Sequence, residues 1–280
     1  TSTGTDMNKM FRGVPSFNQD ISGGDVSNVT NMSAMFLDAL SFNQDIGGWD
    51  TGSVTNFNFM LYNAEAFNQD ISGWDTSSAE TMQSLFYEAA SFNQDISGWD
   101  MSNVTNINWM FGMANAFNQD ISAWDTSSVT TMNYVFQYND IFNQDISAWD
   151  TSSVTTMIGT FHLAVAFDQD IGDWNVSNVT DMHNMFNGSQ LSTIHYDALL
   201  NGWNAQPLQS DVVFDVGSSH YCRGEDSRTN MINNDKWNIN DAGKDCTGVP
   251  YPPADFDGDY ETDISVYRPS NGRWYIKGMG

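Results

Sequence analysis

The sequence predicts an α/β repeat solenoid, a stack of about seven coils with short parallel strands, short helices and a disulfide-pinned C-terminal cap. Three observations predict it. The word Phe-Asn-Gln-Asp-Ile recurs with little change every 25 residues and puts Phe17, Phe42, Phe67, Phe92, Phe117, Phe142 and Phe167 in one column. A second column holds Trp49, Trp74, Trp99, Trp124, Trp149 and Trp174, with Gly24 in the first copy. Val-Thr then leads into the next copy, replaced once by Ala79-Glu80. A fixed period of roughly 20–50 residues is the signature of supersecondary units that bury their apolar faces by stacking.

Residues 1–190 form the array. Met32, Met35, Phe36 and Ala39 follow i, i+3, i+4, i+7 spacing, which predicts one face of a short helix. Two turns of helix are not stable alone in water, so neighbouring coils must hold each one. Phe-Asn-Gln-Asp-Ile-Ser reads as an extended segment, and the Trp-Asp-Thr-Ser stretch as a corner. Stacking turns each column into a ladder with rungs roughly 5 Å apart.

Two ladders are acidic. One holds Asp20, Asp45, Asp70, Asp95, Asp120, Asp145 and Asp170; the other holds Asp25, Asp50, Asp75, Asp100, Asp125 and Asp150 and ends at Asn175. Like charges at that spacing repel by roughly 1 kcal/mol in water and about 3 kcal/mol at an effective dielectric near 20. Backbone N–H bonds at the corner, solvent or shared cations could relieve this. Asp-Thr-Ser is turn chemistry and Asn175 substitutes without charge, which favours backbone bonding for the second ladder.

Residues 191–246 leave the period and read as a C-terminal cap over the last apolar face. Ser192 to Trp203 predicts a helix with Tyr196, Leu199, Leu200 and Trp203 on one face. Asp211 to Val216 predicts a strand, Glu225 to Asn233 a second helix, and Trp237 and Ile239 another strand. Cys222 and Cys246 are the only cysteines; a disulfide is expected, the alternative being two buried thiols, and a disulfide implies an oxidising compartment. Residues 247–253 form a Pro-rich linker, and 254–280 begin a new unit. The chain opens inside a repeat, so its natural start is expected upstream.

Thirty-five acidic against nine basic side chains give a net charge of -26, which argues against nucleic acid and against anionic membrane surfaces. No run of apolar residues is long enough to predict membrane insertion, and a monomer is expected.

The run Met-x-x-Met-Phe-x-x-Ala-x-x-Phe-Asn-Gln-Asp-Ile-Ser-x-Trp-Asp-Thr-Ser-x-Val-Thr-x-Met resembles the BspA-like repeat of bacterial surface proteins and mycoplasma lipoproteins, a leucine-rich-repeat type. That resemblance implies a secreted or cell-surface protein used in adhesion or recognition of an extracellular protein or glycan. The segment from Leu191 to Cys246 is similar to the C-terminal cap of such arrays. The tail around Asp255, Asp257, Asp259 and Asp263 resembles a single FG-GAP or VCBS-type calcium-binding repeat. Carboxylates at alternate positions around Gly258 suit a hard cation, so Ca2+ is the expected cofactor; Val266 stands where an EF-hand needs Glu, and the alternative is an acidic linker turn.

No catalytic constellation converges. His162, His183, His195 and His220 lack metal spacing, and His162 and His183 are expected on the surface. Paired aspartates offer a retaining-glycosidase separation, but in every coil, whereas a catalytic site is unique, so the chain is not expected to be an enzyme. The variable positions are more informative. Phe59, Trp109 and Tyr134 share one outward column, Tyr62 and Tyr87 the next, with Met113 and Tyr138 beside them. Outward aromatics in adjacent coils predict a ligand-binding face, the alternative being that they seal the core edge. Two other functions are open. The Thr30, Thr55, Thr105, Thr130, Thr155, Thr180 column, broken by Glu80, could bind ice, and the array could be a spacer on the cell surface.

Overall fold

The structure, a computed structural model, describes residues 5–249, 264–268 and 273–277. Its repeated part is organised by turns. In the first acidic ladder each carboxylate accepts the N–H of the residue two further on, at 2.9–3.0 Å from Asp20 to Asp170. In the second ladder Asp25 to Asp150 and Asn175 do the same at 2.9–3.3 Å. These Asx-turns bend the chain at both ends of the Ile-x-x-Trp segment.

The bends return the chain to the same place once per 25 residues. Asp6, Asn31, Asn56, Thr81, Asn106, Thr131, Thr156 and Asp181 form a continuous line of single parallel bridges. Phe rings stack along their column, with centroids 5.8 Å apart for Phe42–Phe67 and 6.3 Å for Phe142–Phe167. The Trp74 and Trp99 rings lie 6.0 Å apart. Each ladder indole donates to an isoleucine carbonyl of the preceding unit, from Trp49 to Ile21 at 3.3 Å through Trp174 to Ile146 at 3.0 Å. Burying a Phe is worth about 1.5–3 kcal/mol, and these bonds satisfy the indole N–H groups inside that core. A further ladder runs through the asparagines of the repeated word. The side-chain oxygens of Asn18, Asn43, Asn68, Asn93, Asn118 and Asn143 accept the backbone N–H of the next unit at 2.9–3.0 Å.

Among the described residues of the array, turns stand where the short helices are expected. From Met32 to Ala39 the chain makes successive four-residue turns, closed by Met35 N–H to Met32 at 3.1 Å and Ala39 N–H to Phe36 at 2.9 Å. Ala34 and Asp38, each third in its turn, have φ of 54° and 60°, as in a type II turn. The alternate N–H groups of Ala34, Phe36 and Asp38 donate across to Asn58, Met60 and Tyr62 of the next unit. A helix would direct those donors along its own axis; the turns direct them to the neighbour, and that coupling wins over two marginal helical turns. Met32, Met35, Phe36 and Ala39 still share one buried side, because a four-residue turn repeat imitates helical spacing. Likewise, the parallel pairing in each unit is a single bridge rather than a strand.

At the C-terminal end the elements are α1 (Thr193–Asn204), β1 (Val213–Asp215), α2 (Glu225–Asn234) and β2 (Asn238–Asn240). Ser192 caps α1, and Tyr196, Leu199, Leu200 and Trp203 are buried. Met182 bridges Phe214 in parallel, and β1 pairs with β2 in parallel, so the bridge line continues into this block. Asp168 takes the place of the ladder asparagine and accepts Ser192 N–H at 2.8 Å and His195 Nδ1 at 2.9 Å. Buried Asp197 accepts the N–H groups of Cys222, Arg223 and Gly224 at 2.8–2.9 Å, and Cys222 is disulfide-bonded to Cys246. Ile264–Arg268 and Arg273–Lys277 form an antiparallel pair, β3 and β4, with Val266 opposite Tyr275.

Candidate functional site

One place on the regular stack is irregular. The column Ala34, Phe59, Ser84, Trp109, Tyr134, Gly159 has positive φ at every rung, between 53° and 62°. Left-handed backbone is unusual for bulky residues, and its turn geometry throws their rings outward over the neighbouring rungs. Ser84 sits between two aromatics of this column. The space its short side chain leaves is a shallow pocket of about 250 Å³ lined by Phe59, Tyr62, Gln83, Ser84, Tyr87 and Trp109.

The rings form a continuous strip. Tyr62 and Tyr87 stack at 4.8 Å, Tyr87 meets Trp109 at 5.6 Å and 70°, and Trp109 stacks on Tyr134 at 4.1 Å. Phe59 tilts against Tyr62 at 6.2 Å. Two glycines make room: a Cβ at Gly112 would lie 2.9 Å from the Tyr87 ring, and one at Gly159 only 2.3 Å from Tyr134. The Tyr87 hydroxyl donates to Met113 Sδ at 3.2 Å.

Of the residues singled out by sequence, Phe59, Tyr62, Tyr87 and Trp109 therefore converge on the pocket. Tyr134 and Met113 brace it from the side. Tyr138 stands apart, 42% exposed and edge-on to His162 at 5.7 Å. His162 is not an open-surface residue: it is half-buried, its Nδ1 has no partner, and burial lowers its pKa. Asp255, Asp257, Asp259 and Asp263 lie outside the described residues. Among the described residues no group of three His, Cys, Asp or Glu side chains is placed to hold a metal ion. None of the described helices is long and apolar enough to cross a membrane.

Column reading missed Gln83, Ser84 and Gly112. The signal was the small residue between large ones. It also missed the acidic flank. Burial first, then the carboxylates of Asp38 and Glu65, push the Glu88 carboxyl above its ordinary range. Burial, then Glu88, in turn pushes up the Tyr62 and Tyr87 hydroxyls.

A run of near-identical units carrying an irregular aromatic pocket defines a repeat protein whose individuality lies in its variable columns. One family model matches the chain, described as "Mycoplasma protein of unknown function, DUF285", over residues 1–99 and again over 84–203. The chain belongs to this family. No curated protein and no solved structure matches it.

Proposed function

We propose that the stacked units make a solenoid of the BspA-like surface type, a non-catalytic module that recognises an extracellular protein or glycan through its aromatic edge. The observation that carries this is the pocket at Ser84, where four variable-column aromatics converge. Half-buried aromatics that meet at an open pocket supply large contact area at low entropic cost. A secreted or cell-surface location is supported by the Cys222–Cys246 disulfide, which persists in oxidising compartments.

Ice binding draws less support. Each threonine hydroxyl of that column donates to a carbonyl of the preceding unit, for example Thr105 to Glu80 and Thr130 to Thr105, both at 3.1 Å. Their donors are engaged within the protein, and Glu80 interrupts the row.

The test is a display of extracellular proteins and glycans probed with the full chain and with Trp109→Ala. Binders that lose the variant support recognition through this edge. Binding indifferent to Trp109, or no binder at all, favours the spacer reading.

A further inference from the structure

The chain contains no lysine or arginine between Arg12 and Arg223, yet that stretch holds 24 aspartates and glutamates. The pocket lies in the middle of it. Burial, then the carboxylates of Asp38 and Glu65, raise the Glu88 carboxyl, and Glu88 in turn acts on the Tyr62 and Tyr87 hydroxyls. Asp38 accepts the side-chain amide of Asn63 at 2.8 Å, and the stretch holds no lysine or arginine to pair with these carboxylates.

The ring geometry suits the same charge. Tyr62 and Tyr87 present stacked faces, and Trp109 turns at 70° to Tyr87, so two π surfaces meet at a corner. A cation within about 6 Å of such ring centroids is attracted by their quadrupoles, most strongly at Trp and for a desolvated cation. Hydrogen-bonding side chains in the lining are few, Gln83, Ser84 and the Trp109 indole beside the tyrosine hydroxyls, which is sparse for the many hydroxyls of a sugar. A pocket of about 250 Å³ takes a side-chain head, and the net charge of -26 steers an extended basic chain toward the protein.

Building on the recognition reading, we propose that this pocket receives the cationic head of a lysine or arginine side chain from a basic polypeptide partner. The rings hold the head, and Glu88, beside the tyrosine pair, supplies countercharge within a surface that carries a large excess of carboxylates.

The probe is a short Gly-Ser peptide carrying lysines, measured against the full chain by calorimetry at physiological salt, beside the same peptide with its lysines acetylated. The lysine peptide binds and the acetylated one does not. Trp109→Leu, which leaves the charge unchanged, weakens binding about tenfold. The pair Asp120→Asn and Asp145→Asn, which removes two charges outside the pocket lining, weakens it less than about threefold, as expected of screened surface charge. In the unaltered protein the indole N–H resonance of Trp109 shifts with the lysine peptide only, which removes any dependence on how the variants fold. Equal binding of both peptides, no binding of either, or a larger loss from the aspartate pair than from Trp109→Leu overturns the proposal. If the lysine peptide fails while a glycan or a neutral protein binds in a Trp109-dependent way, the cation inference falls and the recognition reading stands. If nothing depends on Trp109, both fall.

Discussion

The indole Nε1 of Trp203 donates to the carbonyl of Ile171 at 3.1 Å, the bond that each ladder tryptophan makes to an isoleucine of the unit before it. Trp203 lies 29 residues beyond Trp174, outside the period, yet α1 delivers its ring to the next rung. Gly172 and Gly202 allow this approach, since a Cβ on Gly202 would meet the Gly172 carbonyl oxygen at 2.2 Å. Trp203→Ala is expected to cost about 3–5 kcal/mol. Trp203→Phe, keeping most of the packing and losing the donor, is expected to cost about 1–3 kcal/mol. Denaturant unfolding measures both, and a loss under about 1 kcal/mol for the alanine variant would show that this rung does not seal the stack.

Gly159 is the second test, because the Tyr134 ring occupies the space that a side chain would need there. Gly159→Ala is expected to destabilise by about 1–3 kcal/mol and to displace Tyr134 from Trp109. Gly98 is the contrast: nothing lies within 4 Å of a Cβ there, and Ala123 and Ala148 already occupy its register. Gly98→Ala is expected to stabilise by about 0.4–1 kcal/mol through the unfolded chain. Thermal melts of the two variants should move in opposite directions.

Ser84→Phe should fill the pocket. Phe59 and Trp109 show that the column accepts aromatic rings at this backbone angle. The variant is expected to keep its far-ultraviolet dichroism, to lose at most about 1–3 kcal/mol to overpacking, and to lose affinity for any ligand held through Trp109. Unchanged affinity would place the binding surface elsewhere.

Acid should loosen the stack in a defined direction. The backbone N–H and then the hydroxyl of the serine two residues on hold Asp20, Asp70, Asp95, Asp120 and Asp145 below their ordinary value of 3.8. For Asp25, Asp75 and Asp125 the hydroxyl is the larger cause. At Asp95 these bonds outweigh repulsion from Asp120 and Asp70. A carboxylate whose folded pKa is depressed contributes stability above its unfolded value and loses it as pH falls through the folded one. Stability should therefore be level above about pH 5 and decline below about pH 4. Asp70→Asn, Asp95→Asn and Asp120→Asn together should flatten that decline, since Asn175 shows that an amide serves the same turn. An acid titration followed by tryptophan fluorescence checks this, and an unchanged profile would remove the turn bonds as its cause.

Reduction of Cys222–Cys246 opens a loop with a sequence separation of 24. The expected loss is about 3 kcal/mol, confined to the C-terminal block. Hydrogen exchange with and without reductant should show α2 and β2 losing protection before the Trp74–Trp99 region does.

The columns were legible because identity at a fixed interval translates directly into vertical neighbours, as with Trp74 over Trp99. The same logic put Phe59, Tyr62, Tyr87 and Trp109 in neighbouring columns, and the structure brings them to one pocket. It failed on Met32–Ala39, where turns repeating every four residues place side chains much as a helix does while sending their N–H groups to another unit. It failed on Ser84 because a pocket made by a missing side chain is visible only through the size of its neighbours. The acidic flank was hidden for a different reason: Glu65 comes from a different column from Asp38 and Glu88, and only the folded turns bring the three together.

The stretch from Arg12 to Arg223 without a cationic side chain has a second effect. Proteases that cut after lysine or arginine meet no susceptible bond anywhere between those two residues, folded or not. Digestion by trypsin should leave that span as one large fragment, so the composition that makes the surface acidic also protects the stack against a whole class of secreted enzymes.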